Sequence, residues 1–315
     1  MTKVIGSMEL NLSPKYGGKP QFTPAFVEVV VRVVRSHGGD LDLKELLKLI
    51  YASDHEEFID FIRFGTNFGF WKFSNDEVIS VEGLNDFSEE TWTPSRFAEF
   101  IHHSVFAKNL EKHENWNTIA ALLVWAHSLK ISYHNPENQK KMPIQTDWKS
   151  VEKFAAETGL FPDITRNAEQ WGISKLWLLK SGLFLISSNS FSPSTFFLCD
   201  QFRKSLKKFE TKWIPIRELI EEVRNLCPYL PGGKYGKVWT SYLKDKYPVG
   251  FPQAVDMESG IDLTQQESFA ILLLEGRDIV LKSADDAADR LKLILGTPGK
   301  TEARMVSHFK RESLS

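Results

Sequence analysis

Residues 22–81 read FTPAFVEVVVRVVRSHGGDLDLKELLKLIYASDHEEFIDFIRFGTNFGFWKFSNDEVISV. Three amphipathic segments precede a short β-rich one. Pro24 suits the first turn of a helix, where its missing N–H leaves no partner unpaired. Phe26, Val29, Val30, Val33 and Val34 then recur at helical spacing, and Gly38-Gly39 stops the run. Residues 43–51 form a second helix. Ser53 with Glu56 makes a capping box for a third, over 53–69, which buries Phe58, Ile59, Phe61, Ile62 and Phe68. Residues 70–73 and 78–81 flank a Ser74-Asn75-Asp76 turn, the spacing of a hairpin. This order predicts a winged helix-turn-helix, a fold that docks on nucleic acid or on protein. The same order restarts near Ile214.

Outward from this stretch the chain divides into six parts. Residues 1–21, with Pro14, Gly17, Gly18 and Pro20, are a flexible arm, and 22–90 are the first winged-helix module. Residues 91–147 are a helical middle with Phe97, Phe100, Ile101, Val105, Leu122, Leu123 and Trp125 in its core. Residues 148–200 are a second winged-helix-like module. It has helices over 148–158 and from an Asp163 cap to Lys180, and a hairpin pairing 183–187 with 195–199. Residues 201–295 are a C-terminal winged-helix-like module. It has helices over 214–225, 238–246 and 264–275, the last with a Thr264…Glu267 capping box. A strand at 278–282 and a strand or short helix at 287–295 follow. Residues 296–315 are a polar tail that frays. The expected class is mainly α with small β-hairpins (α+β), two or three winged helix-turn-helix-like modules around a helical middle.

The 315 residues are 42% hydrophobic and carry a net charge of −2, so no global basic field marks a nucleic-acid binder. The halves differ. Residues 1–150 hold 16 Lys and Arg against 20 Asp and Glu, and residues 151–315 hold 23 against 21. Any electrostatic footprint therefore belongs to the second half. Two cysteines, Cys199 and Cys227, are too few for a disulfide framework or a four-thiolate zinc site. They read as buried, inert thiols. No basic-then-apolar leader opens the chain, and its longest apolar run, 120–126, is far short of a membrane span. The expectation is a cytoplasmic protein without a membrane partner.

Reading DNA requires cations for phosphates and forked donors for base edges. The third helix of 22–81 carries Asp54, Glu56, Glu57 and Asp60 against Arg63, which favours a protein partner. A second candidate, Thr165, Arg166, Asn167, Glu169, Gln170, Ser174 and Lys175, has the residue types that read base edges. The strongest phosphate-contact candidate is Arg203, Lys204, Lys207, Lys208 and Lys212, opposed only by Glu210. Residues 231–238 (PGGKYGKV) invite a P-loop reading, but the spacing is one residue short and Val238 replaces the hydroxyl. Lys234 and Lys237 are left as candidates for backbone phosphates. Glu99 and His102 have the Glu-x-x-His spacing of carboxylate-bridged metal sites, but only one such pair is present. Asp200, Glu210 and Lys212 match the spacing of a restriction-nuclease constellation, which requires them on adjacent strands. No catalytic residue, metal or cofactor is expected from the rest of the chain.

Three stretches carry a family likeness: residues 177–184 (WLLKSGLF), 230–235 (LPGGKY) and 263–283 (LTQQESFAILLLEGRDIVLKS). The chain resembles the DpdG-type component of bacterial clusters that insert 7-deazaguanine derivatives into DNA and restrict unmodified DNA. The N-terminal module is similar to it more loosely, and residues 1–21 lie outside the pattern. The resemblance implies an accessory role in phage defence or DNA modification and supplies no catalytic residue. The expected function is a non-enzymatic adaptor that binds double-stranded DNA and other subunits of such a complex. The alternatives are a purely protein-binding subunit and a metal-dependent nuclease.

Overall fold

A computed structural model describes residues 24–50, 55–67, 70–81, 94–103, 114–129, 148–161, 164, 168–180, 182–187, 190–246, 263–283, 290–297 and 300–312. The described elements are α1 (Pro24–Ser36), β1 (Asp40–Asp42), α2 (Leu43–Leu49), α3 (His55–Asn67), β2 (Lys72–Phe73), β3 (Val78–Ser80), α4 (Pro94–His103) and α5 (Glu114–Leu129). Then come α6 (Trp148–Thr158), α7 (Ala168–Lys180), β4 (Phe184–Ser187), β5 (Ser190–Pro193), α8 (Thr195–Leu206), β6 (Ile214–Pro215), α9 (Ile216–Leu226) and α10 (Lys234–Lys246). The last are α11 (Gln265–Leu274), β7 (Ile279–Lys282), β8 (Leu291–Thr297), β9 (Lys300–Val306) and β10 (His308–Arg311). The protein is mostly helical with small antiparallel sheets. It forms two compact units, Met1–Ile119 with Asp163–Leu183, and Ala120–Pro162 with Phe184–Ser315. The expected second module is thus shared between units, with α6 in one and α7 in the other.

In unit 1 the valines of α1 do what their spacing predicts: Val27, Val30, Val31 and Val34 are buried. Gly38 and Gly39 take φ of 89° and 98°, a turn that favours glycine. The short strand β1 escaped the sequence reading because three residues show no period. Asp42 ends it, and its carboxylate accepts from the Lys44 and Glu45 amides to start α2. The proposed Ser53 cap lies outside the described residues. Trp71 packs under α3 and donates its indole N–H to the Ile62 carbonyl at 2.8 Å. Gly65 leaves room for that ring, since a Cβ there would stand 2.0 Å from Trp71 Cζ2. Gly65→Ala is therefore expected to destabilise unit 1 by about 1–3 kcal/mol through overpacking. Chemical denaturation followed by tryptophan fluorescence measures it.

In unit 2, residues 195–199 are not the returning strand of a hairpin. Ser194 accepts from the Phe197 amide and opens α8 instead, and β4 pairs with β5. Aromatic and β-branched residues (Thr195, Phe196, Phe197) suit a strand locally, but the cap and the burial of Phe197, Leu198 and Phe202 favour the helix. Within the expected tail, Lys300–Val306 and His308–Arg311 form β9 and β10. α10 begins at Lys234, four residues before the expected start at Val238. The Thr264–Glu267 capping box is present.

The two units repeat one plan. In unit 1, α1, β1, α2, α3, β2 and β3 build a sheet of order β1-β3-β2. In unit 2, α8, β6, α9, α11, β7 and β10 build a sheet of order β6-β10-β7. Helix α10 is inserted between the second and third helices, and the β8–β9 hairpin between the last two strands. The registers coincide. Leu41 faces Ile79, and Ile214 faces Phe309; all four are buried. Leu43 N–H donates to the Glu77 carbonyl and Ile216 N–H to the Ser307 carbonyl, each at 2.9 Å. Leu43-Lys44-Glu45-Leu46-Leu47 thus matches Ile216-Arg217-Glu218-Leu219-Ile220 position by position.

Candidate nucleic-acid interface

Three of the five cations in the basic segment are paired with carboxylates. Arg203, on α8, donates from Nε to Asp278 (3.3 and 3.4 Å) and from Nη1 to Asp200 (3.1 Å). It ties α8 to the turn before β7. Lys208 is ion-paired with Glu222 on α9, and Lys212 lies 2.8 Å from Glu210. Lys204 and Lys207 are exposed. Helix α8 ends at Leu206, with Lys207 as its C-cap, so Lys208 does not extend a helical stripe with Lys204. Lys234 and Lys237 are exposed in the first turn of α10, with Lys234 Nζ 5.1 Å from the Tyr235 ring centre. Lys175 is half-buried on α7, and Arg166 lies outside the described residues.

The nuclease constellation is not assembled. Asp200 sits on a helix and bonds Arg203, while Glu210 lies in the bend after it, fully exposed and paired with Lys212. The hydrogen bond and charge of Lys212 hold the Glu210 carboxyl below its ordinary range. Among the described residues no group of three or more His, Cys, Asp or Glu is placed to hold a metal ion. None of the described helices is long and apolar enough to cross a membrane. Both cysteines are free and buried. Burial pushes the Cys199 thiol up to about 11 and the Cys227 thiol up to about 12. A thiol-reactive dye is expected to label neither before unfolding. Unfolded thiols ionise near 9.0, so their contribution to stability is complete below that pH. It is lost as pH climbs from about 9 towards 12, which denaturant titrations at pH 8 and 10 detect.

The glycine-rich segment packs on an internal ion pair. Arg224 on α9 donates to both oxygens of Glu267 on α11, at 2.9 Å (Nε to Oε1) and 3.3 Å (Nη2 to Oε2). The two side chains are 5% and 0% exposed. Glu267 Oε2 also accepts the Thr264 amide at 2.7 Å, so one carboxylate closes the capping box and neutralises the arginine. Gly232 lies against that guanidinium: a Cβ there would stand 2.2 Å from Arg224 Nη1. Residues 230–235 and 263–283, two stretches of the family likeness, are thereby joined across the core of unit 2.

A family model described as DpdG-like matches residues 19–287. The chain belongs to the DpdG-like family. No curated protein and no solved structure matches it. The DpdG-like match ends before β8, so the β8–β9 hairpin and β10 lie beyond the matched residues. Sequence reasoning offered a strand or short helix over 287–295, which overlaps β8, and missed β9 and β10. Residues 291–311 contain Lys292, Lys300, Arg304, Lys310 and Arg311 against Glu302. The signal was available in the alternation of His308-Phe309-Lys310-Arg311, but its charges read as a solvated tail.

Proposed function

We propose that this DpdG-like chain is a non-enzymatic adaptor of a cytoplasmic Dpd-type DNA-modification and phage-defence system, built on two winged helix-turn-helix modules. The repeated six-element plan, with its first-third-second strand order in both sheets, carries the reading. In such modules the third helix meets the target. Here α11 has no Lys or Arg, and its outward Phe269 and Leu273 are 38% and 48% exposed. A helix of that character docks on protein. DNA contact then falls to the exposed lysines Lys204, Lys207, Lys234 and Lys237, which hold phosphates without reading sequence. The adaptor bridges duplex DNA and its partner subunits.

The test is fluorescence anisotropy of the full chain with a labelled duplex at several salt concentrations. Affinity is expected to be independent of sequence and to fall as salt rises. Lys204→Glu with Lys207→Glu is expected to weaken it at least tenfold. Supercoiled plasmid with magnesium or manganese should stay intact. Salt-independent or undiminished binding by the variant would overturn the duplex contact, leaving the protein-only subunit. Cleavage abolished by Glu210→Ala would establish the nuclease instead.

A further inference from the structure

The repeated plan supplies an internal control for one surface. Strands β6, β10 and β7 turn Ile214, Phe309, Leu281 and Ile279 into the core. The alternate residues face outward: Lys282 opposite His308, and Val280 opposite Lys310. Trp213, one residue before β6, joins them, with Lys282 Nζ 5.8 Å from its ring centre. Trp213 remains 44% exposed and Val280 40%. Glu312, just past β10, follows in the same alternation, and its amide donates to the Asp278 carbonyl at 2.9 Å.

Unit 1 builds the same face from different chemistry. The registers place Asp40 where unit 2 has Trp213, Ser80 where it has Lys310, and Val78 where it has His308. Ser74 stands where unit 2 has Lys282, since its amide donates to the Val78 carbonyl at the matching position. The unit 1 face thus shows Asp40 and Asp42 against Lys72. The plan itself requires neither the cations nor the tryptophan. Their coincidence on one open sheet face is the pattern of a stacking platform flanked by phosphate contacts.

We propose that the Trp213–Lys282–His308–Lys310 face binds single-stranded nucleic acid, with an unpaired base on Trp213 and phosphates on Lys282 and Lys310. The charge is complementary to a polyanion. The indole selects the single strand, because a duplex keeps its bases stacked inside and offers this flat face nothing to stack on. Lys282 and Lys310 are diagonal neighbours on adjacent strands, roughly 7–8 Å apart, on the scale of one nucleotide step. This contact is separate from the duplex contact at Lys204 and Lys207.

Anisotropy of the full chain with labelled oligothymidine, alongside a duplex of equal length, tests it. Oligothymidine is expected to bind, more weakly as salt rises. Trp213→Ala should cost about tenfold or more in affinity, since base stacking on an aromatic ring is worth that much, while Trp213→Phe keeps most of it. Lys282→Ala and Lys310→Ala should each lower the slope of log K against log salt by about 0.7. Failure to bind oligothymidine at micromolar protein, or undiminished binding by Trp213→Ala, overturns the proposal. So does a shared loss of oligothymidine and duplex binding in Trp213→Ala, which makes the face a duplex site. Duplex binding lost in the Lys204/Lys207 variant but kept in Trp213→Ala leaves the adaptor reading standing whichever way the single-strand arm falls.

Discussion

Glu267→Ala is expected to cost unit 2 about 3–5 kcal/mol, because it removes the carboxylate that accepts from both Nε and Nη2 of the buried, charged Arg224. The same change removes the N3 arm of the α11 capping box. A unit of this size should lose roughly 2–4 °C of melting temperature per kcal/mol, a shift that calorimetry resolves. The double variant Arg224→Met with Glu267→Gln separates the causes. It removes both charges and keeps an N3 side chain able to close the cap, so it should recover most of the loss. A double variant as unstable as Glu267→Ala would mean that packing around Gly232, and not the broken Arg224–Glu267 pair, sets the cost.

Gly236→Ala should be nearly as damaging. A Cβ there would stand 1.8 Å from the Leu230 carbonyl oxygen, and backbone cannot swing aside as a side chain does. The turn that ends at Gly236 would have to open, breaking the bond from the Gly233 amide to the Leu230 carbonyl (2.7 Å). About 1–3 kcal/mol is the usual overpacking range, and this contact belongs at its upper end. Gly232→Ala meets the flexible end of Arg224 and should cost less. The ranking of the two variants in denaturant is the measurement. An inverted order would place the constraint at the ion pair.

Local signals in the sequence were enough for the elements that depend on local chemistry. The α1 valines, the Gly38-Gly39 stop and the Thr264–Glu267 box all appear where their spacing puts them. What escaped was settled by distance along the chain. Asp278 lies 75 residues from Arg203, and no local pattern announces that it occupies the arginine's donors. The basic segment therefore looked richer in available cations than it is. β10 escaped because Lys310 and Arg311 hide the alternation around Phe309, which only its buried partners Leu281 and Ile214 reveal. The Asp200–Glu210–Lys212 spacing was legible, but spacing says nothing of whether a residue stands on a strand or a helix.

The central strand of the unit 2 sheet comes from residues 308–311, so its two outer strands are synthesised first and wait for it. Until β10 leaves the ribosome, β6 and β7 lack their shared partner strand; β7 exposes a row of unsatisfied amides and carbonyls, and β6, which ends in Pro215, adds the Ile214 amide. The nascent chain therefore passes through an interval in which α8, α9 and α11 can gather but the sheet cannot close. A premature stop shortly before His308 would make that interval permanent. The product would keep the exposed β7 edge, prone to pair with its own copies.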